Sequence, residues 1–167
     1  MKNLVSLFCL ILFVNASCSK DEAIPTGNDT FSCRINGKLF LPESSAPLTT
    51  IGPTGNGLSF EGFNNQLDLS ISAYNNPNEI SIYIKNHALG VFNLTKSNGV
   101  VGYPASDQKN QVTILYDGKK YLSKDGSGAV IITELTATEL KGTFEFILYN
   151  ESNNNDIIRV TEGKFDN

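Results

Sequence analysis

The chain has 167 residues, with 13 Lys and Arg against 17 Asp and Glu and a formal net charge of -4. Its basic residues are scattered, so the electrostatic footprint of a nucleic-acid partner is missing. One His and three Cys in the whole sequence leave out the usual ligand sets of a zinc centre and the usual base of a hydrolytic triad, and no cofactor is expected.

The N-terminus reads as an export signal. Lys2 is followed by an apolar run from Leu4 to Val14, and Asn15-Ala16-Ser17 place short residues before Cys18, which assigns residues 1–17 to a signal peptide. The run falls well short of the roughly 20 residues that span a bilayer. Val14-Asn15-Ala16-Ser17-Cys18 resembles the lipobox of bacterial lipoproteins, with Asn15 where those signals usually carry Leu. The resemblance implies that Cys18 becomes the N-terminus, linked to diacylglycerol and carrying fatty acyl chains such as palmitate, which hold the protein on a membrane. The next residues, Lys20, Asp21 and Glu22, resemble the signal that sends Bacteroidetes lipoproteins to the cell surface. The alternative is cleavage after Ala16 and release of a soluble secreted protein.

Residues 18–30 carry Pro25, Gly27, Asn28 and Asp29 and read as a spacer, and residues 31–167 are expected to form a single all-β domain. With Cys9 in the signal and Cys18 acylated, Cys33 has no disulfide partner; it alternates with Phe31 and Ile35 and belongs in a core. Leu67, Leu69, Ile71 and Ala73 alternate with polar residues, as do Ile80, Ile82 and Ile84, and the Asn- and Pro-rich turn between these segments predicts an antiparallel pair. Asn36-Gly37 and Asp117-Gly118 accept the positive φ angles of a type I′ turn and predict two hairpins. Further strands are expected at Leu58 to Phe63, Val91 to Leu94, Ala129 to Leu135, Leu140 to Tyr149 and Ile157 to Phe165. The fold expected is an antiparallel β-sandwich of about ten strands, the alternative being a closed or partly open up-and-down β-barrel.

Two echoes run through the sequence. Ile35-Asn36-Gly37-Lys38 parallels Tyr116-Asp117-Gly118-Lys119, and Gly90-Val91-Phe92 parallels Gly142-Thr143-Phe144. Convergent hairpin chemistry explains them, with a duplicated half-domain as the alternative.

The segment Lys141-Gly142-Thr143-Phe144-Glu145-Phe146 and the closing Glu162-Gly163-Lys164-Phe165, with the Asn36-Gly37-Lys38 hairpin behind a lipoprotein signal, resemble a family of small Bacteroidetes lipoproteins catalogued as a domain of unknown function. The resemblance implies a β-rich fold and an envelope location, and transfers no catalytic residue. Physically, Gly142 and Gly163 mark bulges or close backbone approach, while Phe144, Phe146 and Leu148 point into the core.

Chemistry is sparse. His87 falls in a loop after a strand and is expected to be exposed. Among Glu61, Asp68, Glu134, Glu145 and Glu162 nothing selects a catalytic pair, and several read as outward members of strands. The Asn/Asp-rich loops at Asn75 to Glu79 and Asn150 to Asp156 offer calcium oxygens without the spacing of an EF-hand. Tyr83, Tyr103 and Tyr149 are the candidate ligand-binding residues, with Tyr83 and Tyr149 expected on the outer face. The long connections at Pro42 to Gly57 and Gly99 to Asn110 are candidate binding edges. The expected function is that of a lipid-anchored, surface-facing envelope protein. It would be non-catalytic, a binding or structural module for a protein or glycan, with a β-barrel carrier of a small apolar ligand as the alternative.

Overall fold

The computed structural model describes residues 29–43, 57–62, 68–101 and 109–167. Cys18, Lys20, Asp21, Glu22, Tyr103 and most of the two long connections lie outside the described residues. Among those described there is no helix, and the strands follow in chain order as β1 (Thr30–Ile35), β2 (Lys38–Phe40), β3 (Leu58–Glu61), β4 (Leu69–Asn75), β5 (Asn78–Ile84), β6 (Gly90–Asn93), β7 (Gln111–Tyr116), β8 (Lys119–Leu122), β9 (Gly128–Leu135), β10 (Leu140–Asn150) and β11 (Ile157–Asp166). All eleven join one antiparallel sheet. Its main path is β2-β1-β11-β10-β8-β7-β5-β4-β3, with β9 and β6 on a side branch. The sheet curls into an open half-barrel, which upholds the all-β reading and suits a partly open barrel or a sandwich.

The branch point is β10. Along one edge it pairs with β11. Its other edge is shared, since Leu140 to Phe146 pair with β9 whereas Tyr149 and Asn150 pair with β8. The predicted hairpins form as expected: β1 turns into β2 through Asn36 and Gly37 (φ 50° and 81°), and β7 into β8 through Asp117 and Gly118 (φ 49° and 72°). The Asn/Pro turn joins β4 to β5 as an antiparallel pair.

Alternation fills the concave side. Phe31, Cys33 and Ile35 of β1, Leu69, Ile71 and Ala73 of β4, and Ile80, Ile82 and Ile84 of β5 are buried with Val130 and Ile132 of β9, Phe144, Phe146 and Leu148 of β10, and Phe165 of β11. Each large aliphatic or aromatic side chain so buried contributes roughly 1.5–3 kcal/mol of transfer free energy. Phe60 of β3 and Phe165 of β11 stand far apart in strand order, yet their rings approach to 6.3 Å, because the sheet curls back over its own core.

The second sequence echo has a geometric origin. Strand β9 pairs with β6 on one side and β10 on the other, so Gly90 and Gly142 both face Ile132, Val91 and Thr143 both face Ile131, and Phe92 and Phe144 both face Val130. Equivalent rows demand equivalent residues.

The convex side of β4, β5 and β7 is covered as well. Ser70, Ser81, Gln111 and Thr113 are buried there. The chain following β6 crosses part of it: Ser97 Oγ lies 2.8 Å from Thr113 Oγ1, and the backbone N–H of Asn98 donates to Gln111 Oε1 at 3.0 Å. This overturns the exposure expected of Tyr83. Its side chain is 2% exposed, and its hydroxyl donates to Asp68 Oδ2 at 2.6 Å. Outward in the alternation of one strand does not mean solvent-facing once a second layer of chain lies over the sheet.

Candidate binding face on β9, β10 and β11

Where the convex surface passes over β9, β10 and β11, the register sets its side chains in rows. One row runs Val91–Ile131–Thr143–Lys164–Ser32 across five strands. Beside it, Ala129 faces Glu145, and the chain then meets a bulge in β11. Phe144 and Phe146 face Gly163 and Val160, while on the other side Ser32 and Arg34 face Lys164 and Thr161. Both neighbours therefore step over one extra residue of β11.

Glu162 absorbs that residue by taking a φ of 55°. A side chain in this left-handed region costs roughly 1–2 kcal/mol, because its Cβ crowds the following carbonyl. Arg34 restrains it: the guanidinium Nε donates to Glu162 Oε2 at 3.1 Å, and Nη1 donates to the carbonyl of Gly37 at 3.2 Å. The backbone N–H of Glu162 lies 3.5 Å from Glu145 Oε1. Bulge, first hairpin and central strand are thereby joined by charged side chains on the outer face.

The result is a groove of about 340 Å³ between Ile131, Thr143 and Glu145 on one side and Glu162 and Lys164 on the other, with Ala129 and the backbone of Gly163 along its floor. A second hollow of about 270 Å³ flanks Glu145 toward the far end of the strands, against Ser127, Arg159 and Thr161. The near end of the face is apolar: Leu89 is 63% exposed, Val91 62% and Ile131 39%. The far end offers hydroxyl, carboxylate and guanidinium groups. Such a face provides shape and mixed hydrogen bonding for an extended or sugar-like ligand.

Of the carboxylates read from the sequence, Glu145 and Glu162 come together here, whereas Asp68 lies on the other side of the fold under Tyr83. Glu134 belongs to a separate cluster at the end of the sheet, where Lys141 Nζ reaches it at 3.1 Å. A hydrogen bond from Glu139, and then the Lys141 ammonium, hold Glu134 below the usual carboxylate range; the same hydrogen bond and the charge of Glu134 raise Glu139. His87 lies in the loop after β5 as expected, but is half-buried instead of exposed. Tyr149 is half-buried too, with Lys124 Nζ 3.9 Å above its ring centroid, so the ammonium covers the face expected to be open.

The two candidate calcium loops are closed by protein donors. Asp156 Oδ2 accepts from Lys119 Nζ at 2.8 Å and Asn150 Nδ2 at 3.0 Å, and Oδ1 accepts from the Tyr121 hydroxyl at 3.2 Å. In the other loop, Asn76 Oδ1 accepts from the Tyr74 hydroxyl and Asn78 Oδ1 from the Asp117 backbone. These oxygens already hold the turns together.

Sequence reasoning passed over Val91, Ile131 and Arg34. A signal for Ile131 was present: in Val130-Ile131-Ile132, consecutive apolar residues on an alternating strand force one of them outward. Arg34 gave none, since its role depends on a bulge in a strand 128 residues away.

Residues 61–167 match the family model described as a domain of unknown function, DUF6252. No curated protein and no solved structure matches the chain. The matched stretch begins at the last residue of β3 and takes in β4 to β11, including the bulge, both halves of the groove and the Gly142 and Gly163 motifs. The chain belongs to the DUF6252 family.

Proposed function

We propose that this chain is a bacterial lipoprotein of the Bacteroidetes type, anchored through Cys18 to the outer membrane, exported by Lys20-Asp21-Glu22 to the cell exterior, and serving as a non-catalytic binding module. The observation that carries the binding reading is the open groove on β9, β10 and β11, where a strained Glu162 is retained and pinned by Arg34. Strain kept on an exposed surface points to a role for the side chain it presents. The ligand is a protein segment or glycan read by the far, polar end of the face. The concave side, packed with Phe31, Phe144, Phe146 and Phe165 at ring separations of 5.1–6.4 Å, favours this reading over an interior carrier of apolar ligands.

Mass spectrometry of the mature N-terminus tests the anchor, with acylated Cys18 expected; an unmodified chain beginning at Ser17 overturns it. Protease shaving of intact cells tests display, since a surface domain disappears together with known surface proteins. For the groove, glycan arrays and binding to isolated cell-surface proteins compare the wild type with Arg159→Ala and Glu145→Gln. Equal binding by all three rules the face out.

A further inference from the structure

The apolar corner formed by Leu89, Val91 and Ile131 stands at the end of the sheet where the chain enters it. Thr30 faces Asp166, Asp166 faces Lys141, and Lys141 faces Glu134, so these four residues form the row at which the segment from Cys18 arrives. The row of Val91 and Ile131 is two residues further along β1, about 7 Å away, and β6 lies four strands over from β1, about 19 Å. Leu89 precedes β6 on the side of Thr30's row, since Gly90 already faces Ile132. From Cys18 to Thr30 the chain has length for roughly 40 Å at full extension. The tether thus joins the sheet at the same end as the corner and roughly 20 Å from it, a distance its length can span.

We infer that this corner rests on the bilayer to which Cys18 is anchored, so that the domain lies with the start of β6 and the end of β9 against the lipid and the polar hollow at Arg159 turned outward. The inference rests on the reading of Cys18 as lipidated. Three features favour a lipid surface as the occupant. The tether holds the corner at high effective concentration near the bilayer, so modest apolar contact suffices. The side chains involved are aliphatic and protrude at one edge of the sheet, Leu89 and Val91 at the edge strand β6 and Ile131 from its neighbour β9, a form suited to shallow insertion at the headgroup boundary. The surrounding charges are of both signs, Lys141 and Lys164 beside Glu134, Glu139 and Asp166, which complements zwitterionic headgroups that carry an ammonium and a phosphate.

The test uses the full mature lipidated chain in phosphatidylcholine–phosphatidylethanolamine vesicles containing nitroxide-labelled lipid. A fluorophore is attached at Val91→Cys or, for comparison, at Ile157→Cys, which lies at the opposite end of β11; Cys33 is buried and Cys18 acylated, so neither takes the label. Quenching at position 91 is expected to exceed that at 157 by roughly threefold or more, as fits shallow insertion. Leu89→Asn with Ile131→Asn is expected to bring the two positions level. Equal quenching in the parent chain, or a difference that survives the double substitution, overturns docking while flotation of the vesicles still upholds the anchor. Unquenched label at 91 with cross-linking between copies assigns the corner to a second copy and overturns the lipid. A chain that does not float overturns both the anchor and the docking.

Discussion

Gly163 of β11 lies directly across from Phe144 of β10, and two residues along the same pair Gly142 lies across from Phe165. Each glycine makes room for the ring opposite. A Cβ on Gly163 would stand 2.3 Å from Phe144 Cδ2, and one on Gly142 2.2 Å from Phe165 Cζ. The stacked rings of Phe144 and Phe165, 6.4 Å apart, belong to the core. Gly163→Ala is therefore expected to destabilise by about 2–3 kcal/mol through overpacking, read as a lowered urea midpoint. Gly118→Ala, where a Cβ meets nothing within 4 Å, tests backbone strain alone and should cost about 1 kcal/mol. Equal losses at the two sites would contradict the packing argument.

Glu162 is expected to matter little for stability. Glu162→Gly relieves the left-handed backbone but surrenders an exposed ion pair and gains unfolded-state entropy, so the net change should stay within about 1 kcal/mol. A much larger loss would mean that the bulge depends on the Arg34 contact, and the case for a retained functional side chain would fail.

Cys33 is 1% exposed, and burial pushes its thiol up to about 12. Alkylation at pH 8 followed by peptide mapping should leave Cys33 unmodified in the native protein and modify it in urea. The folded state keeps the thiol protonated after the unfolded chain has begun to ionise near pH ~8.5. Its contribution therefore makes stability fall as pH rises from there toward 12. Cys33→Ala or Cys33→Val should flatten that alkaline decline, and an unchanged slope would speak against it.

Asp156 contributes on the acid side. The hydrogen bond from Lys119, together with those from Asn150 and Tyr121, holds its carboxyl below the usual range, against the smaller opposing effect of burial. A lowered carboxyl stabilises the fold above its unfolded value, about 3.9, and that contribution disappears as pH falls through the folded one. Asp156→Asn should therefore lose stability at pH 7 and show a shallower decline from pH ~5 to ~2 than the wild type. Parallel curves in urea denaturation across that range would refute the assignment.

By itself the sequence determined the strands, their hairpins and the inward set, because alternation and turn chemistry act over a few residues: Ile80, Ile82 and Ile84 are buried as read, and Asn36-Gly37 and Asp117-Gly118 take positive φ. It also marked Gly142 and Gly163 as points of close approach, though their reciprocal pairing with Phe165 and Phe144 required the register of two strands. Tertiary structure alone decided which outward residues meet solvent. Tyr83 alternates outward yet is covered, whereas Ile131 remains exposed, since the chain after β6 crosses the convex side of β7 and leaves β9 bare. It alone also brought Arg34 to Glu162 and set the corner of Leu89 and Val91 at the end of the sheet where Thr30 enters. Those relations join residues remote in the chain, and no local pattern encodes a contact that exists only after the sheet has curled.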